Sequence, residues 1–150
     1  MDMKYDIITL NERRIIGFTA RTNNNSPDMS TVIGGVWQKF FTLGYNAIPD
    51  KVNGKTLGIY TDYDSDENGD YTFMAACEAN GNAPDGFEVR MIPAGRYAKF
   101  VVCGNMFSAV AEFWQMLWNM KLDRTYICDF EEYQNADPEN CEIHIYIGIR

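Results

Sequence analysis

The sequence predicts an α+β domain made of two tandem strand–helix–strand–strand units, with one antiparallel sheet and two main helices. The first observation is the order of elements, which is the same over residues 13–79 and over residues 96–149. The second is an echo between the helices, since Val-Ile-Gly-Gly-Val-Trp-Gln at 32–38 resembles Ala-Val-Ala-Glu-Phe-Trp-Gln at 109–115. A chain of 150 residues suits a single domain, 1–150, that contains these two pseudo-repeats.

The first unit opens with a strand and continues into an amphipathic helix. Residues 13–21 are rich in Ile, Phe and Thr, as strands are. The polar residues 22–26 predict a loop. Asp28 or Ser30 can cap the helix that follows, and Gly44 is expected to end it. The other strands predicted in this half run over residues 4–10, 56–63 and 71–79.

The second unit repeats this order after a strand at 87–92. A strand at 96–103 leads into a helix at 106–120 that is apolar on nearly every side. Packing on a sheet explains one stripe of that helix. Trp114 and Trp118, on successive turns, add a flank that suits a pocket or an interface. The last two predicted strands are residues 126–133 and 142–149.

The final hairpin allows a prediction of register from its alternation of polar and apolar residues. Pairing apolar with apolar sets Glu131 opposite His144, although a slip of two residues fits equally well. In that register Tyr133 faces Glu142 and Asp129 faces Tyr146. Either register places one group of polar side chains on a common sheet face, which is a ligand site or an exposed face with cross-strand pairs. Its members are Asp129, Glu131, Tyr133, His144 and Tyr146.

Composition narrows the classes of partner. A net charge of -8 argues against direct binding to nucleic acid and favours a cationic or neutral ligand. No apolar run is long enough to span a membrane, and residues 1–11 lack the pattern of a secretion signal. The four cysteines form no C-x-x-C pair, and the acidic turn at 64–70 lacks the terminal glutamate of a calcium loop. We therefore expect a cytoplasmic protein with reduced cysteines, no metal and no cofactor.

Two motifs resemble those of a known family. Pro-Ala-Gly-Arg-Tyr-Ala-Lys-Phe at 93–100 resembles the P-A-G-x-Y-A-x-F segment of GyrI-like domains, which are the effector-binding domains of AraC- and MerR-type multidrug regulators. Phe-Glu-Glu-Tyr at 130–133 resembles the F-E-x-Y motif of the same family. Trp118 matches a tryptophan common at the end of the second helix, but Asn119-Met120 replaces the Trp-Leu-Pro that usually follows. The resemblance covers nearly the whole chain.

The resemblance implies a Rob- and GyrI-like effector-binding fold, in which SHS2-like repeats form a pocket between them. Its walls would be aromatic, and Glu131 would reach into it as the glutamate of F-E-x-Y. In multidrug regulators this glutamate is associated with lipophilic cations, and a buried carboxylate among aromatic rings does favour a cation. The expected ligand-binding residues are Glu131, Tyr133, Trp114, Trp118, Tyr97, Trp37 and Tyr146.

The resemblance also predicts which functions to expect. We expect a stand-alone domain, because no residues precede it that would form a helix-turn-helix. It would bind a small aromatic or cationic compound in drug or toxin sensing, sequestration or transcription-linked regulation. One alternative is a hydrolase of strained electrophiles, with Glu131 as general base and Tyr133 as hydrogen-bond donor. Another is an inhibitor that binds a protein partner. A ligand-binding module is the leading hypothesis, and covalent catalysis is disfavoured because no Ser or Cys nucleophile beside a base is evident.

Overall fold

The computed structural model describes residues 4–150 and shows eight strands and two α-helices. A π-helical turn, Phe40–Gly44, and a short 3-10 turn, Tyr45–Ala47, follow the first helix. The elements in chain order are β1 (Asp6–Leu10), β2 (Arg13–Asn23), α1 (Met29–Lys39), β3 (Thr56–Thr61), β4 (Asp70–Glu78), β5 (Glu88–Ile92), β6 (Gly95–Gly104), α2 (Met106–Trp118), β7 (Arg124–Tyr133) and β8 (Cys141–Ile149).

All eight strands form one antiparallel sheet in the order β1-β6-β8-β7-β3-β4-β2-β5. The first unit is β2-α1-β3-β4 and the second is β6-α2-β7-β8, and they join side by side through β3 and β7. The strand before each unit pairs with the other unit, β1 with β6 and β5 with β2. The predicted α+β class, with its doubled strand–helix–strand–strand plan, is confirmed.

Both helices lie on the same face of the sheet. Val36 and Phe40 pack with residues of β2 and β4, while Phe113 and Leu117 of α2 pack with residues of β6 and β8. The central strands β3 and β7 therefore lie between the two helices. The opposite face is filled by a cluster to which all eight strands contribute, so the sheet curves around it. Its members include Ile8, Ile15, Ile59, Met74, Ile92, Tyr97, Phe130 and Tyr146.

Element boundaries differ from the prediction where tertiary pairing overrides local composition. β2 continues to Asn23 because this end of the strand pairs with Asp70 and its neighbours, so the predicted loop at 22–26 begins later. Asp28 is the N-cap of α1 but makes no side-chain capping hydrogen bond. The α-helix stops at Lys39, and the π-helical turn carries the chain on to Gly44, where a Cβ would lie 2.7 Å from the Phe18 ring. α2 ends at Trp118 rather than at residue 120.

The predicted register of the last hairpin is wrong by one residue. Glu131 lies opposite Ile145, and Glu132, rather than Glu131, lies opposite His144. The pairing is irregular between Arg124 and Asp129, and both faces of this hairpin are buried, so alternation does not report which face is polar. Glu131 thus shares its face with the isoleucines of β8 under α2. The odd shift places His144 and Tyr146 on the other face, away from the carboxylate.

Candidate ligand-binding cavity

A cavity of about 1060 Å³ opens between α1 and α2, above the central strands. Its volume suits a drug-sized ligand. Aromatic residues line much of the walls. Three of them, Phe41, Phe107 and Trp118, lie at the mouth and are solvent-exposed. The other aromatic lining residues are Trp37, Tyr45, Tyr60, Tyr63, Tyr71, Trp114 and Tyr133.

The floor of the cavity is built from alternate residues of β3 and β7. Gly58 lies directly opposite Glu131 in this pair of strands. A Cβ at Gly58 would lie 3.0 Å from Cζ2 of Trp37, 3.1 Å from Oε1 of Glu131 and 3.3 Å from Phe73. The absence of a side chain at this position therefore lets Trp37 and Glu131 approach each other over the floor.

Glu131 is the central polar group of the cavity and is only 1% exposed. The hydroxyl of Tyr60 donates to Oε2 at 2.8 Å, and Nε1 of Trp114 donates to the same oxygen at 2.9 Å. The hydroxyl of Tyr133 donates to Oε1 at 2.9 Å. Three neutral donors from β3, α2 and β7 thus fix the carboxylate where both units meet.

The electrostatics of Glu131 follow from its burial. Desolvation raises the pKa of the Glu131 carboxyl, and the hydrogen bonds from Trp114, Tyr60 and Tyr133 offset part of that rise. Burial and the neighbouring carboxylate also raise the pKa of the Tyr60 and Tyr133 hydroxyls well above the usual value, which keeps them protonated as donors. Across residues 4–150, no lysine or arginine forms an ion pair with Glu131.

A second buried network supports the edge of the cavity. Asp129 is fully buried, and its Oδ2 accepts from Tyr63 at 2.6 Å and from Arg124 at 2.9 Å. Its Oδ1 accepts from the backbone N–H of Gly148 at 2.9 Å. Asp129 therefore neutralises Arg124, ties β7 to β8 and fixes the ring of Tyr63 at the cavity wall.

We expect Gly58→Ala to damage both the fold and the cavity. A new methyl group must displace Trp37 or the Glu131 carboxylate, and overpacking of this kind costs about 1–3 kcal/mol. Urea denaturation measures the loss. Gly35→Ala is the matched control, because its Cβ meets nothing within 4 Å and alanine favours a helix. Equal free energies of unfolding for Gly58→Ala and the wild type would contradict the close packing described for the floor.

The structure brings five of the seven predicted site residues together. Glu131, Tyr133, Trp114, Trp118 and Trp37 all line the cavity. Tyr97 and Tyr146 lie on the opposite sheet face, where both pack against the Phe130 ring, at centroid distances of 5.7 Å and 4.5 Å. They are therefore outside this cavity. The sequence pattern did not indicate the other polar residues of the lining, which include Tyr60, Tyr63, Glu67, Tyr71 and Arg124.

The described residues were also searched for a metal site and for a membrane-spanning helix. Within residues 4–150, no group of three His, Cys, Asp or Glu side chains is arranged to hold a metal ion. Over the same residues, neither helix has the length and apolar character needed to cross a membrane.

Comparisons with known proteins agree on fold and family. The sequence profile of one family, described as integron-associated effector binding protein (Cass2), matches residues 6–149. The integron cassette protein VCH_CASS2 from the mobile metagenome of Vibrio cholerae is 26% identical, with a TM-score of 0.81 over 97% of this chain and 95% of that one. A comparison with functionally curated proteins found no match.

Two more distant solved structures share the fold. SAV2435, solved with bound tetraphenylphosphonium, is 20% identical, with a TM-score of 0.80 over 99% of this chain and 94% of that one. The EcmrR C-terminal domain is 17% identical, with a TM-score of 0.60 over 100% of this chain and 99% of that one. At these identities the likeness shows the fold alone.

Proposed function

The chain belongs to the integron-associated effector binding protein family, and on that premise we propose that its cavity binds lipophilic aromatic cations. Small-molecule binding is the general function of an effector-binding domain. The family and the fold agree with the resemblance to GyrI-like domains seen in the sequence. The cationic class of ligand is the part that we propose.

The observation that carries this proposal is that the carboxylate of Glu131 is buried and has no counter-charge from the described residues. A carboxylate in an apolar cavity loses its hydration, and neutral donors replace only part of it. No side chain in residues 4–150 supplies a counter-charge to it, whereas the faces of Trp37, Trp114 and Tyr60 attract cations. A lipophilic cation would supply the missing charge and bury its apolar groups against the rings.

The ligand bound to SAV2435 supports the same class. Tetraphenylphosphonium is a monovalent cation with four aryl groups, and it was found on a protein of this fold. The cavity described here is large enough for a molecule of that size. We further propose that the protein acts in the cytoplasm by sensing or sequestering toxic compounds. The hydrolase and protein-inhibitor alternatives stay predictions.

Titration calorimetry with two ions of the same shape tests the proposal. Tetraphenylphosphonium and tetraphenylborate differ in charge but present nearly the same aryl surface. We expect saturable binding of the cation and at least about tenfold weaker binding of the anion, which is a difference of about 1.4 kcal/mol. Equal affinities would mean that the cavity recognises aryl surface alone and would contradict the role given to Glu131.

We expect the affinity for tetraphenylphosphonium to depend on pH through Glu131. Protonation removes the negative charge, so affinity is full above the raised pKa and falls as the pH drops through it. Tyr133→Phe removes one donor that stabilises the charged form, and the fall should then begin at a higher pH. Tyr146→Phe removes a hydroxyl on the opposite face and serves as the control. Identical pH profiles for the wild type and Tyr133→Phe would contradict this account.

A further inference from the structure

A second acidic side chain lines the same cavity. Glu67 lies in the turn between β3 and β4, and its Oε2 is buried without a hydrogen-bond partner in the described part of the chain. The turn is held against the end of β2, because the side-chain amides of Asn24 and Asn23 donate to the carbonyls of Glu67 and Asn68, at 3.0 Å and 3.1 Å. These bonds hold the backbone of the turn at the cavity wall, and they leave Oε2 of Glu67 free to accept a hydrogen bond or a charge from a ligand.

The balance of charge in the cavity leaves this carboxylate without a counter-charge. Among the described lining residues, the acidic and basic side chains are Glu67, Arg124 and Glu131. The charge of Arg124 is neutralised by Asp129, at 2.9 Å, and its guanidinium lies 4.4 Å from the centroid of the Tyr126 ring. Two carboxylates therefore face one cavity with no paired cation from residues 4–150.

A row of aromatic rings connects the two carboxylates. At one end, Trp114 and Tyr60 donate to Glu131. At the other end lies Tyr126, whose pKa is raised by burial and then by the Glu67 carboxylate beside it. Successive centroids along the row are 5.0 Å (Trp114–Tyr60), 5.7 Å (Tyr60–Tyr71), 5.8 Å (Tyr71–Tyr63) and 5.9 Å (Tyr63–Tyr126) apart.

We propose that Glu67 forms a second anionic subsite, so that the cavity selects elongated dications with one charge at Glu131, the other at Glu67 and an apolar spacer along the rings. This inference rests on the proposed binding of a cation at Glu131. A monocation leaves Glu67 uncompensated, whereas a dication of the right length supplies a counter-charge to both carboxylates. At the Glu131 end, the charge would also lie against the rings of Trp114 and Tyr60.

The probes are polymethylene bis(trimethylammonium) ions of increasing spacer length, each compared with the alkyltrimethylammonium ion of the same chain length. We expect one spacer length to bind at least about tenfold more tightly than its matched monocation. Glu67→Gln should abolish that advantage, so that the dication binds no more tightly than its matched monocation. Glu112→Gln, at an exposed position of α2 outside the cavity lining, controls for the loss of one negative charge.

The outcomes separate this inference from the proposed function. Binding of tetraphenylphosphonium without a dication advantage at any length would overturn the second subsite and leave the site at Glu131 intact. If none of the cations binds, both proposals are overturned. If Glu67→Gln weakens tetraphenylphosphonium and the dications equally, Glu67 contributes only to the general potential of the cavity, and the inference is again overturned. Urea denaturation of Glu67→Gln verifies that it folds.

Discussion

Glu131→Gln is expected to weaken the binding of tetraphenylphosphonium by about 30-fold or more. Removing one partner of a buried charge pair typically costs about 2–5 kcal/mol, and about 1.4 kcal/mol corresponds to a factor of ten in affinity. Glutamine keeps the length and shape of the side chain, and its amide oxygen can still accept from Tyr60 and Trp114. The substitution therefore removes the charge while the walls stay in place.

Calorimetry on the wild type and Glu131→Gln measures this effect directly. The affinity for tetraphenylborate should not fall in the variant, because an anion gains nothing from the carboxylate. Glu112→Gln is the control for a change in net charge, since it removes an exposed carboxylate of α2. A loss of less than about threefold for the cation, which is below 0.7 kcal/mol, would show that Glu131 is not its anchor.

The largest expected effect on stability comes from Asp129→Ala. It would leave the buried guanidinium of Arg124 without its counter-charge and the N–H of Gly148 without its acceptor. Breaking a buried ion pair in this way costs about 3–5 kcal/mol, a large part of the 5–15 kcal/mol that a typical domain has. Tyr63 also loses its partner, so the wall of the cavity should loosen with the fold.

Urea denaturation tests this prediction against an exposed ion pair of the same type. Asp123 pairs with Arg150 at 2.6 Å, but its side chain is 71% exposed, so Asp123→Ala should cost at most about 1 kcal/mol. If Asp129→Ala does not fold, Asp129→Asn keeps the shape and still leaves Arg124 uncompensated. Equal losses at positions 129 and 123 would contradict the structural role of the buried pair.

The fold was predictable because whole helices and strands show their own spacing of apolar residues in the sequence. The helical spacing of apolar residues and the repeated order of strands indicate both units without any tertiary information. The ends of the elements could not be predicted without knowing the partner strand, because pairing with β4 extends β2 to Asn23. The register of the last hairpin also failed for a physical reason. Glu131 lies under α2 on the same face as Ile143, Ile145 and Ile147, so a carboxylate occupies a position that alternation assigns to an apolar residue.

The candidate site was predictable where a motif or a helix face marked it. The F-E-x-Y resemblance identified Glu131 and Tyr133, and the apolar flank of α2 identified Trp114 and Trp118. Tyr60 required the pairing of β3 with β7, which no local pattern contains. Glu67 lies in a hairpin turn for which the run of acidic residues predicts exposure to solvent. Only the packing of that turn against the end of β2 shows that its carboxylate is partly buried.

The most direct test of cation binding at Glu131 is a crystal structure of the complex with tetraphenylarsonium. The anomalous signal of arsenic locates the centre of positive charge without reference to the shape of the ligand. We predict a single strong peak inside the cavity between α1 and α2, next to the Glu131 carboxylate and flanked by the rings of Trp37 and Trp114. A peak on the opposite sheet face or at the exposed acidic surface, with Glu131 still bound only by its three donors, would contradict the account.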